Sequence, residues 1–356
     1  MGKEKEYDDL DMDRRTALKL GAAASAMGIL GISSTVSAAV QTTTPSASKV
    51  APGHVVKVHK SGMRERFFPN AEAAEEMVNK AVTALSGETD LKKAWECFIK
   101  KEDRVGIKIN ALAGRFASTM KEVVDPIVKG VRLVGVPDEN ILIYDQYGGS
   151  MRAARFEWQD KPGKLRVMNH AVLGYEDALT ESAGGGKGNL AKTLLWTTAV
   201  INVPVIKDHD LAGVTCAIKN MVCGSVEKPP LMHRKIHTAL PNFYALDRIR
   251  GRVRLILCDG SFCLYEGGPK YNPSAIVSHD CIYATVDPAA MDAVALEVVD
   301  GEREKHKFKP LARSGRPATF LKVAEEIGLG ISDRTKIRLE TIELPALVKY
   351  EQSQSK

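Results

Sequence analysis

From Val55 onward, short apolar runs alternate with stretches whose apolar residues recur at helical spacing, the pattern of a layered α/β domain. Val55 to Val58 predicts a first strand. Asn70 to Leu85 is amphipathic with Asn70 in the N-cap position, and Leu91 to Ile99 extends the helical region. Arg104-Val-Gly-Ile-Lys-Ile-Asn110 predicts a strand ending in polar residues. Thr119-Met-Lys-Glu122 has capping-box spacing and opens a helix to about Leu133, with Pro126 as a point of bending. Ile141 to Tyr144 is the next strand, ending at Asp145 and a Gly148-Gly149 turn. Residues 150–190 are less regular, with a short strand at Leu165 to Met168. Ala199 to Ile206 is a buried strand broken by Pro204, which predicts a bulge or an edge position. Strands at Val253 to Cys258 and Ala275 to Thr285 follow, then helices from Asp287 to Val299 and from Pro317 to Ile327. The fold class is α/β, a mostly parallel sheet flanked by helices, and no internal repeat is visible.

Ahead of this pattern lies a different one. Asp13-Arg-Arg-Thr-Ala-Leu-Lys19 precedes a weakly apolar Ala/Gly-rich stretch from Leu20 to Val36 and then the small residues Val36-Ser-Ala-Ala39. This resembles a twin-arginine (Tat) export signal, with Ala17 in place of the usual bulky apolar residue and an acidic lead-in at Asp8, Asp9, Asp11 and Asp13. The resemblance implies the Tat machinery as a partner and a periplasmic location; an uncleaved signal would leave a membrane anchor, although the stretch is at the short limit for a span. The organisation expected is a signal at 1–39, a Thr/Ser/Ala/Pro-rich linker at 40–52, an α/β domain at 53–330, and a C-terminal strand and tail at 331–356. No stable membrane span is expected in the mature chain.

Composition narrows the function. Of 356 residues, 44% are hydrophobic and 26% charged, which is globular, and a net charge of +6 with 6% aromatics gives no basic stripe for nucleic acid. A small-molecule protein is the better fit. The six cysteines include no Cys-x-x-Cys, so no ferredoxin-type iron–sulfur motif is encoded. Cys258 and Cys263 flank an expected turn and are open as a disulfide, whereas Cys97 and Cys281 read as core residues.

The candidate chemistry sits at the carboxyl ends of the predicted strands, where ligands collect in open α/β sheets. Those ends deliver Lys108 and Asn110, then Asp145, then Lys207, Asp208 and His209, then Asp259. The segment after His209 reads as a helix from Asp210 to Cys223 stopped by Gly224, with Lys219 and Asn220 beside Thr215. A Lys-Asn pair is costly to bury unpartnered, so it is either an anion or carbonyl clamp or a snorkelling Lys with a capped Asn. His233 and His237, at i and i+4 after Pro229-Pro230, offer a two-point handle for a transition metal, with His209 or the thiolate of Cys216 or Cys223 as a further ligand; an ordinary solvated helix is the alternative. His237 or His209 could equally serve in acid/base work, oriented by Asp259 or Asp145. The remaining histidines carry no constellation. Gly184 to Gly188 lacks phosphate-loop spacing and reads as a flexible loop. Asp287-Pro288 reads as a helix start and Gly267-Gly-Pro269 as a tight turn.

Val105-Gly-Ile-Lys-Ile-Asn110, Lys207-Asp-His209, Thr215-x3-Lys219-Asn220, Gly224, His237, Asp259-Gly260, Gly267-Gly-Pro269 and Asp287-Pro288 to Asp292 occur in this order. The set is similar to the domain-of-unknown-function 362 family over roughly residues 53–300. The resemblance implies the fold and the cleft and names no activity. Some members of that family carry four-iron clusters, whose motifs this chain lacks. Three functions follow as expectations: an exported enzyme acting on a small anionic substrate, a periplasmic metal- or anion-binding module, and a scaffold whose polar cluster is a satisfied buried network. In the enzyme, Lys108, Lys207 and Lys219 hold the anion and His209 or His237 moves the proton.

Overall fold

The computed structural model describes residues 50–347. The segment read as an export signal, most of the linker and the end of the tail lie outside the described residues. Strand β1 (His54–His59) leads into α1 (Ala71–Ser86) and α2 (Leu91–Glu96), capped by Asn70 and Asp90, whose carbonyl-type oxygens accept from Ala73 N and Lys93 N. A parallel ladder follows: β2 (Val105–Ile109), α3 (Lys121–Val134), β3 (Ile141–Asp145) and β4 (Arg166–Asn169). Next come β5 (Ala199–Val203), β6 (Val205–His209), β7 (Gly213–Thr215), α4 (Ala217–Cys223), α5 (Pro230–His233) and α6 (Ile236–Tyr244). The last elements used here are β8 (Val253–Leu264), β9 (Ile276–Thr285), α7 (Pro288–Lys305), α8 (Phe320–Glu326) and β10 (Arg338–Glu343).

The ten-stranded sheet runs β10-β1-β9-β8-β5-β2-β3-β4, with β6 beside β8 and β7 beside β6. The ladders β1–β10, β6–β8, β5–β8, β2–β3, β2–β5 and β3–β4 are parallel, so the sheet is mostly parallel, as the pattern predicts. β2, β3 and β5 are buried along their whole length, which is why they read as near-continuous apolar runs. On the outermost strand, Glu340 and Glu343 of β10 pair with His54 and His59 of β1.

Several local expectations are corrected. Thr119 does not cap α3: its hydroxyl donates to Val203 O and accepts from Asn110 N, leaving Met120 as the N-cap. Pro204 marks the bulge and not the edge: it divides β5 from β6 in the sheet interior, the β6–β8 register shifts between Val205 and Ile206, and the Pro204 carbonyl accepts from Asp259 N at 2.9 Å. β8 runs straight through Asp259, so Cys258 and Cys263 lie on one extended strand instead of flanking a turn. At roughly 3.3 Å per residue they are too far apart to bond; Cys258 Sγ lies 3.7 Å from Cys216 Sγ. Cys97 is exposed, and Gly148-Gly149 opens a short helix, Gly148–Ala153.

The segment predicted as one helix from Asp210 is instead a hairpin plus a shorter helix. Gly213, at φ +80°, takes a left-handed conformation that no right-handed helix contains, the β-branched Val214 and Thr215 favour extension, and the three pair antiparallel with β6. Helix begins at Ala217, where Asp292 of α7 accepts from the free amides of Ala217 and Ile218. The Gly184 to Gly188 segment is a packed hairpin, Thr180–Glu181 with Lys187–Gly188. A Cβ at Gly184 would come 2.2 Å from Thr238 O, so the glycine serves close approach and not flexibility. Gly130 is tighter still: a Cβ there would lie 2.0 Å from Trp95 Cε2.

Candidate functional site

The pleat decides what the carboxyl ends of the strands present. Lys207 and Thr215 are cross-strand partners, and His209 pairs with Gly213, so Lys207, His209 and Thr215 share one face of the β6–β7 hairpin. Asp208 points the other way, where it accepts from Gly267 N, Gly268 N and Arg316 Nη1. The Gly267-Gly268-Pro269 turn therefore clasps Asp208 with its amides.

Beneath that face lies a buried polar knot in which the groups are matched. Lys108 is fully buried, and its Nζ donates to Asp145 Oδ1 (2.7 Å), Ile109 O (2.6 Å) and Asn220 Oδ1 (3.3 Å). Asn220 Oδ1 also accepts from Asn110 Nδ2, and Asn220 Nδ2 donates to Asn202 Oδ1. Asn110 Oδ1 accepts from Lys207 Nζ at 2.8 Å, while the other two protons of that ammonium go to Leu112 O and Ala117 O. Burial pushes the Lys207 ammonium down to about 7. Three oxygen acceptors favour its charged form, because a neutral amine would have only two hydrogens to give. Asp145 completes its own bonding with Ala111 N and Gln146 N. Gly224 is part of this knot by omission, as a Cβ there would come 2.5 Å from Lys108 Nζ.

Lys108, Asn110, Lys207 and Asn220, predicted as ligand contacts or catalytic groups, are thus spent on one another and on backbone carbonyls. Asp259, predicted to serve a histidine, accepts instead from Met120 N and Ser261 N and holds the start of α3; burial raises its carboxyl. Sequence reasoning missed Asn202, whose amide links Asn220 to Ala217 O. The signal available was one Asn inside the apolar run Ala199-Val-Ile-Asn-Val203.

Above the knot the picture reverses. Lys219 is 7% exposed, and among the described residues it has neither hydrogen-bond acceptor nor ion-pair partner. Thr215 Oγ1 is buried without a partner as well. Lys219 lies among the other predicted site residues, since its charge acts on Lys207, His209 and His233. His209 Nδ1 accepts from Leu211 N (3.0 Å) and Ala212 N (3.2 Å), which puts the ring proton on Nε2. Asp210 Oδ1 also lies 2.9 Å from Nδ1, but its side chain is 68% exposed and takes the Leu211 amide. The two backbone amides, fixed in direction, decide the tautomer. Burial, then the charges of Lys219, His233 and Lys207, push His209 down to about 2, so it is a neutral donor and does not carry protons at ordinary pH.

His233 and His237 do not share a helix. The chain breaks at Lys235 (φ −133°, ψ 45°) between α5 and α6, so the i, i+4 geometry is lost. Both line a cleft of about 420 Å³ with Leu211, Arg234, Lys235, Ile236 and Thr238. The His233 ring sits 6.2 Å from that of His209. Burial lowers the pKa of both cleft histidines, joined at His233 by the Lys219 charge. His237 Nδ1 is buried with no partner among the described residues. Among the described residues, no group of three or more His, Cys, Asp or Glu side chains is placed to hold a metal ion.

A family model described as "Domain of unknown function (DUF362)" matches residues 105–297, just over half of the 356-residue chain. The chain belongs to this family. The DUF362 match runs from β2 into α7 and takes in both the knot and the unpartnered donors, while β1, β10 and Arg316 fall outside it. No curated protein matches the chain. Among solved structures it is similar to the lactate racemase apoprotein of Thermoanaerobacterium thermosaccharolyticum, at 14% identity and a TM-score of 0.33. That likeness covers 66% of this chain and 55% of the other, so the DUF362 protein spans about half the length of the racemase it matches. It is too distant to carry an activity across. Among the described residues no helix is long and apolar enough to cross a membrane.

Proposed function

We propose that this protein is an enzyme acting on a small anionic substrate, a carboxylate or a phosphate, held by Lys219 with Thr215 and His209 donating beside it. His233 or His237 moves the proton. The observation that carries the reading is the Lys219 side chain, 7% exposed and without an acceptor among the described residues, whose charge reaches His209, a histidine fixed as a donor on the same hairpin face as the unpartnered Thr215 hydroxyl. A buried charge without a counter-charge costs several kcal/mol, and an anion supplies what the protein omits. The point charge of Lys suits either carboxylate or phosphate.

The test is Lys219→Met, titrated with acetate and inorganic phosphate by calorimetry and unfolded in urea. Anion affinity falls about 10- to 100-fold, the worth of one charged hydrogen bond. The ligand-free variant becomes more stable than the wild type by about 1–2 kcal/mol, because the uncompensated charge is gone. Equal affinity in the two proteins, or a less stable variant, would sink the reading.

A second reading is anion binding without turnover. It is favoured by the way Asp145, Asp208 and Asp259 are all committed elsewhere, which leaves the cleft histidines without a hydrogen-bonded carboxylate among the described residues, Asp210 acting on His233 only through its charge. Recovery of every bound anion unchanged after prolonged incubation would select it. Export through the twin-arginine pathway belongs to the same proposal and rests on Arg14 and Arg15. Changing both to Lys should leave the full chain in the cytoplasmic fraction, and unaltered export of that variant would exclude this route.

A further inference from the structure

Three segments that follow the carboxyl ends of β1, β2 and β8 meet in a cluster of aromatic rings. A small hairpin, Arg64–Glu65 with Phe68–Pro69, carries Phe67 in its turn; the loop after β2 carries Phe116, and the chain after Gly267-Gly268-Pro269 carries Tyr271. The Phe116 ring centroid lies 4.8 Å from that of Phe67, 5.7 Å from Phe68 and 6.2 Å from Tyr271. Phe68 packs on the core, whereas Phe67 is 54% and Tyr271 44% exposed. Each segment is tied from behind. Asp280 accepts from Gly62 N and Arg64 N, Lys207 Nζ donates to Leu112 O and Ala117 O, and Asp208 accepts from Gly267 N and Gly268 N. The rings are thus presented on fixed backbone, and little ordering entropy is lost when they meet a partner.

In each segment the ring follows directly on a cation: Arg66-Phe67, Arg115-Phe116 and Lys270-Tyr271. All three cations are exposed and have no carboxylate partner among the described residues. The carboxylates on or beside these segments are turned elsewhere, Glu65 to Asn70, Glu122 to Arg155, and Glu266 to Arg303 and Arg316.

We infer that this face docks on an anionic phospholipid surface, with Phe67 and Tyr271 entering the headgroup layer and Arg66, Arg115 and Lys270 meeting lipid phosphates. A lipid surface supplies both things the face lacks, negative charge and an apolar layer beneath it. A second copy packed on the same face would bring like charges together across a two-fold contact. The rings are tilted to one another by 45°, 34° and 39°, so they form no common plane on which a flat ligand could stack.

The experiment sediments the whole chain at low ionic strength with vesicles of equal parts phosphatidylglycerol and phosphatidylcholine, and with phosphatidylcholine alone. Binding to the mixed vesicles is stronger by about tenfold or more and falls as salt is raised. Phe67→Ser/Tyr271→Ser weakens it by about tenfold or more, and Arg66→Gln/Arg115→Gln/Lys270→Gln brings it to the level of the neutral vesicles. Any attachment through Leu20 to Val36 is common to all three proteins, so the differences report this face. The five altered side chains are exposed, and an unchanged urea midpoint checks that each variant is folded. The inference is overturned if wild type and both variants bind alike, or if anionic and neutral vesicles are bound equally. A dimer that Phe67→Ser/Tyr271→Ser dissolves, with no vesicle binding, assigns the face to a second copy and overturns it as well.

Discussion

Lys108→Met is expected to cost about 3–5 kcal/mol of stability, the loss that follows when one partner of a buried pair is removed. Methionine nearly matches the length of lysine and keeps its hydrocarbon packing, so the loss reports the ammonium. Asp145 would keep its bonds from Ala111 N and Gln146 N but lose its counter-charge, and Ile109 O would lose its donor. The double variant Lys108→Met/Asp145→Asn should lose clearly less than the sum of the single changes, since it removes the charges together. Urea unfolding checks this through a fall in midpoint at unchanged slope. A loss below about 1 kcal/mol would mean that the knot does not hold the sheet ends. The contrast with Lys219→Met is the sharper result: two buried lysines in one site, with opposite effects on stability.

Gly130→Ala is expected to be the most damaging single-methyl change in the helical layer. A Cβ at 2.0 Å from Trp95 Cε2 is far inside contact distance, and the indole is fully buried between α2 and α3. Either the ring leaves its position or the helices separate, so the cost should reach or exceed the usual 1–3 kcal/mol of overpacking. Alanine normally stabilises a helix interior relative to glycine by nearly 1 kcal/mol, so the sign alone is informative. Trp95→Leu in the same chain should recover part of the loss by making room. Thermal unfolding of the two single variants and the double decides it, and additive losses would rule out the clash as the cause.

What the sequence revealed follows from how local each signal is. Asn70 and Asp287 cap their helices as predicted, because a cap needs only its own next turn. The buried strands were legible as apolar runs. Thr119 misled because its hydroxyl had a stronger offer from β2 and β5, a partner 84 residues away that spacing cannot reveal. Asp259 misled because β8 continues past it, so it sits within a strand and not at its end. The greatest gap was in the lysines. Lys108, Lys207 and Lys219 look alike in sequence, yet the first two have every proton taken and the third, among the described residues, has none taken. That difference depends on carbonyls such as Ala117 O and Leu112 O, which every residue carries and no residue type announces.

The division between a tied floor and open walls also bears on how such a site can change. Lys108, Asn110, Lys207, Asn220 and Gly224 are interlocked, so altering one leaves another buried group without its partner. Leu211, Arg234, Lys235 and Thr238 answer to nothing in that knot, and they come from two separate stretches of chain around the cleft. Substitutions there can alter the charge or bulk of the cleft while the sheet ends stay fixed. The fold therefore keeps the residues that hold the sheet ends apart from those that shape the cleft, and the cleft can drift without a matching loss of the protein itself.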